Sequence, residues 1–421
     1  MPIRDYVDLD IYSNPSKPIF PKELTLQESF AKMANERLNM VKKGINYHFV
    51  ADNINTNLFW SGLRAAIRDG SLMNKLANKK PIFTNEKGSD IFLDRLYSSI
   101  EQVLVQYTST TPDGKPVIVS GKLFLPPNKK VKNIIIANHY TICSNREAPS
   151  QANCIEGIFA TKDYIILMPD YIGYGLSDEL PHPYLHLDSA VTTSIDLLKA
   201  ALPYLAERGF LFPKQIILLG YSQGAAVTMA MMKKLEEEYA DRFPLRRVFV
   251  GAGPYDLATT YDFYVSQPVT AIPCSLPMLI IGMIYGENLP FTREEYFQDI
   301  MIEKCPRLID SKSKTMFEVN DALDHHIDKL LKPIIFQKDQ YPTTLLYEAM
   351  RKNSMPYWTP KSPMYMFHSS EDDMVPFVNS IRQADVFTSQ FLTNIEYDFA
   401  PYGSHLNACV TFFEKVYHRL H

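Results

Sequence analysis

Four short runs of apolar residues constrain the fold of this chain more than any other feature of its sequence. Each run keeps apolar residues at consecutive positions without polar alternation: 133–138 (NIIIAN), 164–168 (YIILM), 215–219 (QIILL) and 247–251 (RVFVG). Such runs are typical of strands buried on both faces of a sheet. The segment 188–209, between the second and third runs, carries apolar residues at helical spacing. Strands that alternate with helices predict a parallel sheet with helical crossovers, which is an α/β fold.

Further strands are predicted on both sides of these four runs. Two alternating runs flank Asp113 and Gly114 and predict an antiparallel hairpin. The strand pattern resumes at 363–367 and 394–399, and a last helix is predicted after His405. The central sheet is therefore predicted to be mostly parallel, with an antiparallel hairpin at its start.

The remaining segments are predicted to be helical. Helical patterns, one of them across 323–331, dominate residues 255–360. Residues 1–95 also have a helical texture, and Thr25 with Glu28 forms the capping box that marks one helix start. We therefore expect three parts, namely a helical N-terminal extension at 1–95, a core of residues 96–254 and 361–421, and a helical lid or cap insertion at 255–360.

The composition argues against several classes of function. Lysine and arginine number 43 against 47 aspartates and glutamates, so the net charge is −4 and no nucleic-acid partner is predicted. The longest apolar stretch, 271–285, contains two prolines and is shorter than the roughly 20 residues of a membrane span, so no integral membrane segment is predicted. The sequence as given does not begin with a signal-peptide pattern, and the compartment stays open.

No metal or other cofactor is expected. The five cysteines lie far apart and form no CxxC pair, so neither a disulfide framework nor a zinc knuckle is indicated. Asp321, Asp324, His325 and Asp328 could share one helix, but a polar helix face is the better interpretation because no ligand spacing accompanies them. The oligomeric state is left open.

The segment Gly220-Tyr221-Ser222-Gln223-Gly224 carries the strongest chemical signal. It stands between a predicted buried strand and a predicted helix. A serine on such a tight strand-to-helix turn stands clear of the sheet, and small flanking residues allow the close backbone approach that the turn requires. The amino end of the following helix stabilises negative charge near the serine. Ser222 is therefore the predicted nucleophile.

A serine nucleophile needs a base and a carboxylate that orients the base. His405 directly follows a predicted strand, which brings it to the carboxyl edge of the sheet beside Ser222. Three acidic residues, Glu371 to Asp373, follow another predicted strand, and Asp372 is our candidate, with Asp373 as the alternative. The chain order is Ser222, Asp372, His405.

These segments resemble a known family. GYSQG, HSSEDDMVP and GSH are similar to the three catalytic segments of the α/β-hydrolase superfamily, across about residues 100–421. The common family loop, HGxxDxxVP, places its aspartate on Asp372 and its histidine on His368, whereas Ser369 replaces the glycine. The stretches 169–177 (PDYIGYGLS) and 182–186 (HPYLH) are similar to the secretory-lipase branch, which includes fungal lipase A enzymes.

The resemblance also implies where substrate binds. The oxyanion hole would use the backbone N–H of Gln223 and that of Thr141, with Tyr140 as the alternative to Thr141. The helical insertion would act as a lid over the serine. We expect four further residues to contact substrate, with the methionines forming an adaptable acyl-pocket wall: Tyr140, Tyr221, Met278 and Met283.

The implied activity is hydrolysis of a carboxylic acyl ester, as an esterase or lipase with an acyl-serine intermediate. The substrate would be a small-molecule or lipid ester, and kcat/KM should rise with acyl length beyond acetate until the pocket is full. The alternatives are a peptidase or thioesterase of the same fold and a short-acyl deacetylase. A non-catalytic binding protein is a further alternative, although all three candidate catalytic residues are present.

Overall fold

One sheet of eight strands organises the part of the chain that the structure describes. The computed structural model describes residues 56–68, 72–78, 80, 83–84, 90–91 and 100–420. The predicted capping box at Thr25 lies outside the described residues, as does most of the expected extension at 1–95. The strands are β1 (Phe83–Thr84), β2 (Asp90–Ile91), β3 (Glu101–Thr110), β4 (Pro116–Leu125), β5 (Asn133–Asn138), β6 (Tyr164–Pro169), β7 (Ile216–Tyr221), β8 (Leu245–Gly251), β9 (Met364–Ser369) and β10 (Ile395–Ala400).

Helices precede, connect and follow these strands. They are α1 (Thr56–Arg68), α2 (Leu72–Ala77), α3 (Leu187–Glu207), α4 (Gln223–Glu238), α5 (Leu257–Ser266), α6 (Ser275–Gly286), α7 (Asp299–Cys305), α8 (Met316–Ala322), α9 (Ile327–Leu330), α10 (Thr343–Lys352), α11 (Val378–Thr388) and α12 (His405–Arg419). Short 3₁₀ turns occur at Asn145–Glu147, Ile155–Lys162, Gly175–Ser177, Arg293–Glu295 and Pro333–Phe336. A π turn spans Pro306–Asp310.

The sheet order confirms the predicted α/β fold. The strands lie in the order β3-β4-β6-β5-β7-β8-β9-β10, and the six strands from β6 to β10 in this order are parallel. The four apolar runs became β5 to β8, and every residue of β5, β6 and β7 is buried. The predicted hairpin is also confirmed, because β3 and β4 pair antiparallel around a turn in which Gly114 has a φ of 82°.

Both faces of the sheet are covered, which is why its central strands β5, β6 and β7 are buried at every position. Alternate residues of β5 enter different cores, with Ile134 and Ile136 on one face and Ile135 on the other. The first face packs against α3, α4 and the helices between β8 and β9. The second face packs against α12, the turn Ile155–Lys162 and α1. On this second face, the indole ring of Trp60 lies 6.0 Å from the ring of Tyr417, so α1 is attached to α12.

The helices from α5 to α10 follow β8 and precede β9, inside the range 255–360 where helices were predicted. One prediction within this range is wrong. The expected continuous helix across 323–331 is broken, because α8 ends at Ala322 and α9 begins at Ile327. The backbone between these helices pairs with residues 269–270 instead. The carbonyl of His325 accepts the N–H of Thr270 at 2.9 Å, and His326 forms an antiparallel β-bridge with Val269.

Candidate active site

Ser222 occupies a strained turn between β7 and α4. Its backbone φ is 56° and its ψ is −127°, a conformation that L-residues adopt rarely. The flanking glycines make this turn possible. A Cβ on Gly220 would lie 2.1 Å from the carbonyl oxygen of Gly224, and a Cβ on Gly224 would lie 2.0 Å from the carbonyl oxygen of Asn138. Both positions therefore exclude any side chain, and the turn presents Ser222 at the end of the central strand.

Asp372 and His405 are in direct contact at the ends of β9 and β10. The Nδ1 atom of His405 lies 2.6 Å from Oδ2 of Asp372. The other oxygen of Asp372 accepts the backbone N–H groups of Met374 and Val375 at 2.9 and 2.8 Å. Asp373 faces a different group, because its Oδ1 accepts the backbone N–H of His405 at 3.0 Å and so caps the start of α12. The contact geometry thus pairs Asp372, and not Asp373, with the imidazole.

A second histidine supports the Asp372 carboxylate. The Nε2 atom of His368 faces two acceptors, Oδ2 of Asp372 at 3.2 Å and the carbonyl of Val375 at 3.3 Å. Nε2 must therefore carry the proton, and Nδ1 accepts from the hydroxyl of Ser380 at 2.7 Å. Burial acts to raise the pKa of Asp372, but the imidazoles of His405 and His368 outweigh it and hold that pKa well below its usual range. Asp372 is therefore ionised across the physiological range.

Ser222 and His405 line one cavity of about 60 Å³. Its wall is mainly apolar and is formed from several parts of the chain, including Leu72 of α2, Ile155, Tyr264 of α5 and Leu279 of α6. Among the described side chains, no hydrogen bond joins Ser222 to His405. Catalytic hydrogen bonds are often long before substrate binds and tighten in the complex. The arrangement brings a hydroxyl, an imidazole and a buried carboxylate to one small site with a mainly apolar wall.

Two backbone N–H groups beside Ser222 are available to a ligand. In the described part of the chain, no acceptor takes the N–H of Gln223 or that of Thr141. The peptide group that joins Tyr140 to Thr141 is held in place, because its carbonyl oxygen lies 2.7 Å from Nδ1 of His139. Since the C=O and N–H of a trans peptide point in opposite directions, the N–H of Thr141 points away from His139. Thr141 and Tyr140 both line the cavity.

The side chain of Gln223 is held away from its own backbone N–H. His182 donates through Nδ1 to the carbonyl of Ile172 at 2.7 Å, so its Nε2 accepts from the amide nitrogen of Gln223 at 3.3 Å. Burial lowers the pKa of His182 to about 3, which keeps this ring neutral. His182 therefore orders the loop that carries it.

The two aromatic residues predicted to contact substrate both line the cavity, but Tyr221 is also committed elsewhere. Its hydroxyl donates to the carbonyl of His405 at 2.7 Å, and its ring centre lies 5.0 Å from that of the imidazole. Tyr221 is thus placed to hold the backbone of His405. Sequence reasoning missed this contact because the two residues are far apart in the chain.

The two methionines predicted to form the cavity wall lie elsewhere, and this expectation needs correction. Met283 is fully buried in the core, and Met278 lines a separate cavity and contacts Cys143, with 3.4 Å between their sulfur atoms. Ser275 and Leu279, four residues apart on α6, face the Ser222 cavity instead. Adjacent residues of a helix point about 100° apart, so Leu279 and Met278 face different cavities. The apolar run identified the correct helix but not its face.

Three other expectations concern the cysteines, metal binding and membrane insertion. All five cysteines are buried free thiols. In the ranges that the structure describes, no three histidine, cysteine or carboxylate side chains gather in a way that could hold a metal ion. Within the same ranges, no helix has the length and apolar character needed to cross a membrane.

Comparisons with known proteins identify solved structures with the same fold. A candidate hydrolase from Legionella pneumophila is 23% identical, with a TM-score of 0.68 over 76% of this chain and 88% of that one. A rice cell wall degrading esterase, LipA, from Xanthomonas oryzae is 23% identical, with a TM-score of 0.65 over 76% of this chain and 88% of that one. Lipase A from Candida antarctica is 14% identical, with a TM-score of 0.57 over 74% of each chain. No protein-family model and no curated protein sequence matches the chain.

Proposed function

Because this chain has the α/β-hydrolase fold and its Ser222 turn shares a cavity with the Asp372–His405 pair, we propose that it is a carboxylic ester hydrolase. The observation that carries the proposal is the 2.6 Å contact between His405 and Asp372 beside the strained serine turn. Two of the fold relatives are an esterase and a lipase, which supports ester substrates. The mostly apolar cavity wall suits an acyl group better than a charged peptide terminus.

In the proposed mechanism, His405 takes the hydroxyl proton of Ser222 through Nε2 as Oγ attacks the ester carbonyl. The carbonyl oxygen becomes an oxyanion, which accepts hydrogen bonds from the N–H groups of Gln223 and Thr141. His405 then returns the proton to the departing alcohol, and the acyl group stays on Ser222. Water, deprotonated by His405, releases the carboxylic acid and restores the serine. Asp372 fixes the imidazole tautomer and stabilises its cation throughout.

The helices between β8 and β9 are proposed to act as a lid over this site. They supply Thr260 and Tyr264 from α5, and Ser275 and Leu279 from α6, to the wall of the Ser222 cavity. Leu72 of α2 also lines the cavity, so part of the N-terminal extension would help to enclose the substrate. Enclosure excludes water and strengthens the electrostatic contacts at the serine.

Hydrolysis of p-nitrophenyl esters from acetate to palmitate tests the proposal. The native chain should release p-nitrophenolate from at least part of this series, and Ser222→Ala should not. Ser389→Ala, which alters an exposed serine at the end of α11, is the matched control and should retain the activity. Absence of turnover on every ester, or turnover that survives Ser222→Ala, would contradict the proposed function.

A further inference from the structure

Tyr184 separates the Ser222 cavity from a much larger one. Its side chain lines the cavity of about 60 Å³ and also a second cavity of about 660 Å³, which lies between the loop 174–184 and helix α6. Building on the proposed ester hydrolysis, we propose that Tyr184 is a specificity-determining residue that closes the acyl pocket and limits the enzyme to short acyl chains. The larger cavity would then be outside the native acyl pocket.

As part of this proposal, the acyl chain lies on the Tyr184 side of the serine. His405 must protonate the departing alcohol, so the alcohol faces His405 and the acyl chain extends away from it. Tyr184 lines the same cavity as Ser222, and its hydroxyl lies 2.8 Å from Oγ1 of Thr141, the residue proposed to hold the oxyanion. An acyl chain that extends along this wall would meet the ring of Tyr184.

The backbone at Tyr184 is clamped, so this wall is firm. Helix α6 approaches it at Gly282, where an added Cβ would lie 2.5 Å from both the nitrogen and the oxygen of Tyr184. On the other side, the N–H of Tyr184 donates to the carbonyl of His182 at 2.8 Å, and the two rings lie 6.0 Å apart. The following residue, Leu185, has a φ of 59°, which sharply turns the chain. These contacts fix the backbone at Tyr184, and the hydrogen bond to Thr141 holds the far end of its ring.

The two volumes set the size of the acyl group. A buried water needs a cavity volume of about 10 to 15 Å³. A cavity of about 60 Å³ therefore holds roughly four or five water-sized groups, which is comparable with a butyryl chain. The larger cavity has apolar wall residues that suit an aliphatic chain, including Leu180, Ile281, Ile284 and Phe291. Three of its five charged residues are engaged within the protein, since Arg293 bonds Asp310 and Lys312 donates to the carbonyls of Asp178 and Leu180, while Glu179 and Glu294 complete its polar margin.

Replacement of Tyr184 should therefore change the chain-length limit. The native enzyme should act best on acetate to butyrate p-nitrophenyl esters and poorly on octanoate. Tyr184→Leu and Tyr184→Ala join the two cavities and should raise the ratio of kcat/KM for octanoate to that for butyrate by on the order of 10-fold to 100-fold. Tyr184→Phe keeps the ring and removes only the bond to Thr141, so its chain-length limit should stay native.

A second substitution tests the route into the larger cavity. Ile281 lines only that cavity, and Ile281→Trp should fill part of it. In the native background, Ile281→Trp should leave the chain-length limit unchanged. Combined with Tyr184→Leu, it should bring the octanoate-to-butyrate ratio back towards the native value. An effect of Ile281→Trp that appears only together with Tyr184→Leu would identify the larger cavity as the space into which the longer acyl chain extends.

The outcomes separate this inference from the proposed function. If Ser222-dependent hydrolysis is present but the native enzyme prefers octanoate to butyrate, the inference fails and the proposed function stands. The inference also fails if folded Tyr184→Leu keeps the native ratio, or if Ile281→Trp acts equally in both backgrounds. Thermal melting identifies variants that do not fold. If none of the variants folds, the preference of the native enzyme between octanoate and butyrate still decides the inference. If no Ser222-dependent ester hydrolysis is found at all, the proposed function itself fails.

Discussion

His405 is bound by two neighbouring aspartates in two different ways. Oδ2 of Asp372 lies 2.6 Å from the imidazole Nδ1, whereas Oδ1 of Asp373 accepts the backbone N–H of the same histidine at 3.0 Å. One carboxylate can therefore orient the ring while the other fixes the start of α12. Asp372 and Asp373 should therefore respond very differently to the same substitution, although they are adjacent in the chain.

Asp372→Asn should lower kcat roughly 10²-fold to 10⁴-fold, because an amide at this position favours the wrong imidazole tautomer. Asp373→Asn should have little effect, since the amide oxygen of asparagine can still accept the N–H of His405. Steady-state kinetics on the best p-nitrophenyl ester, with both variants checked for native melting temperature, provide the measurement. The reverse ranking would assign the orienting carboxylate to Asp373.

Ser222→Ala should abolish covalent labelling by a fluorophosphonate probe, because the strained turn presents this serine to the cavity. Loss of the nucleophile typically lowers turnover by several orders of magnitude, so a gel-based fluorescence assay is sufficient. Ser389→Ala should label like the native chain. Labelling of Ser222→Ala at the native rate would show that a different serine reacts.

Tyr221→Phe should lower kcat by roughly threefold to tenfold with little change in KM, because it removes the hydrogen bond of 2.7 Å to the carbonyl of His405 but keeps the ring in the cavity wall. Tyr107→Phe is a matched control. Tyr107 is also buried, but its hydroxyl has no hydrogen-bond partner among the described residues. A rise in KM alone for Tyr221→Phe would instead favour the expectation from the sequence that Tyr221 contacts substrate.

Glu156→Gln should stabilise the protein at pH 8 and have little effect at pH 4. Burial raises the pKa of Glu156 to about 7, and its Oε2 has no partner among the described residues. The folded state therefore holds a proton that the unfolded state releases near pH 4.5, so stability falls as the pH rises from about 4.5 to 7. The loss is about 3 kcal/mol when complete, and glutamine avoids it. Urea unfolding at both pH values measures the difference.

Glu147→Gln is the informative contrast. Burial also raises the pKa of Glu147 to about 7, but this carboxylate accepts the backbone N–H groups of Cys143, Ser144 and Met316. The NH₂ group of a glutamine would take the place of one oxygen and face the N–H of Met316, so Glu147→Gln should be less stable than Glu156→Gln at both pH 4 and pH 8. Equal responses of the two glutamates would mean that the hydrogen bonds of Glu147 contribute nothing.

The sequence by itself determined the sheet and the serine turn. Unbroken apolar runs indicate burial on both faces, as parallel strands covered by helices require, and β5, β6 and β7 are buried at every position. The glycines around Ser222 are equally local signals, since each lies against backbone that leaves no space for a Cβ. Local patterns are sufficient here because neighbouring residues in the chain supply the constraint.

Only the tertiary structure decided which side chains meet. Chain order could not choose between Asp372 and Asp373, because residues one position apart point in different directions and their partner, His405, comes from another strand end. In the same way, the apolar run of α6 did not reveal that Leu279 faces the serine while Met278 faces the larger cavity. Hydrophobic patterning determines that a surface is buried. What lies against that surface depends on how distant segments pack.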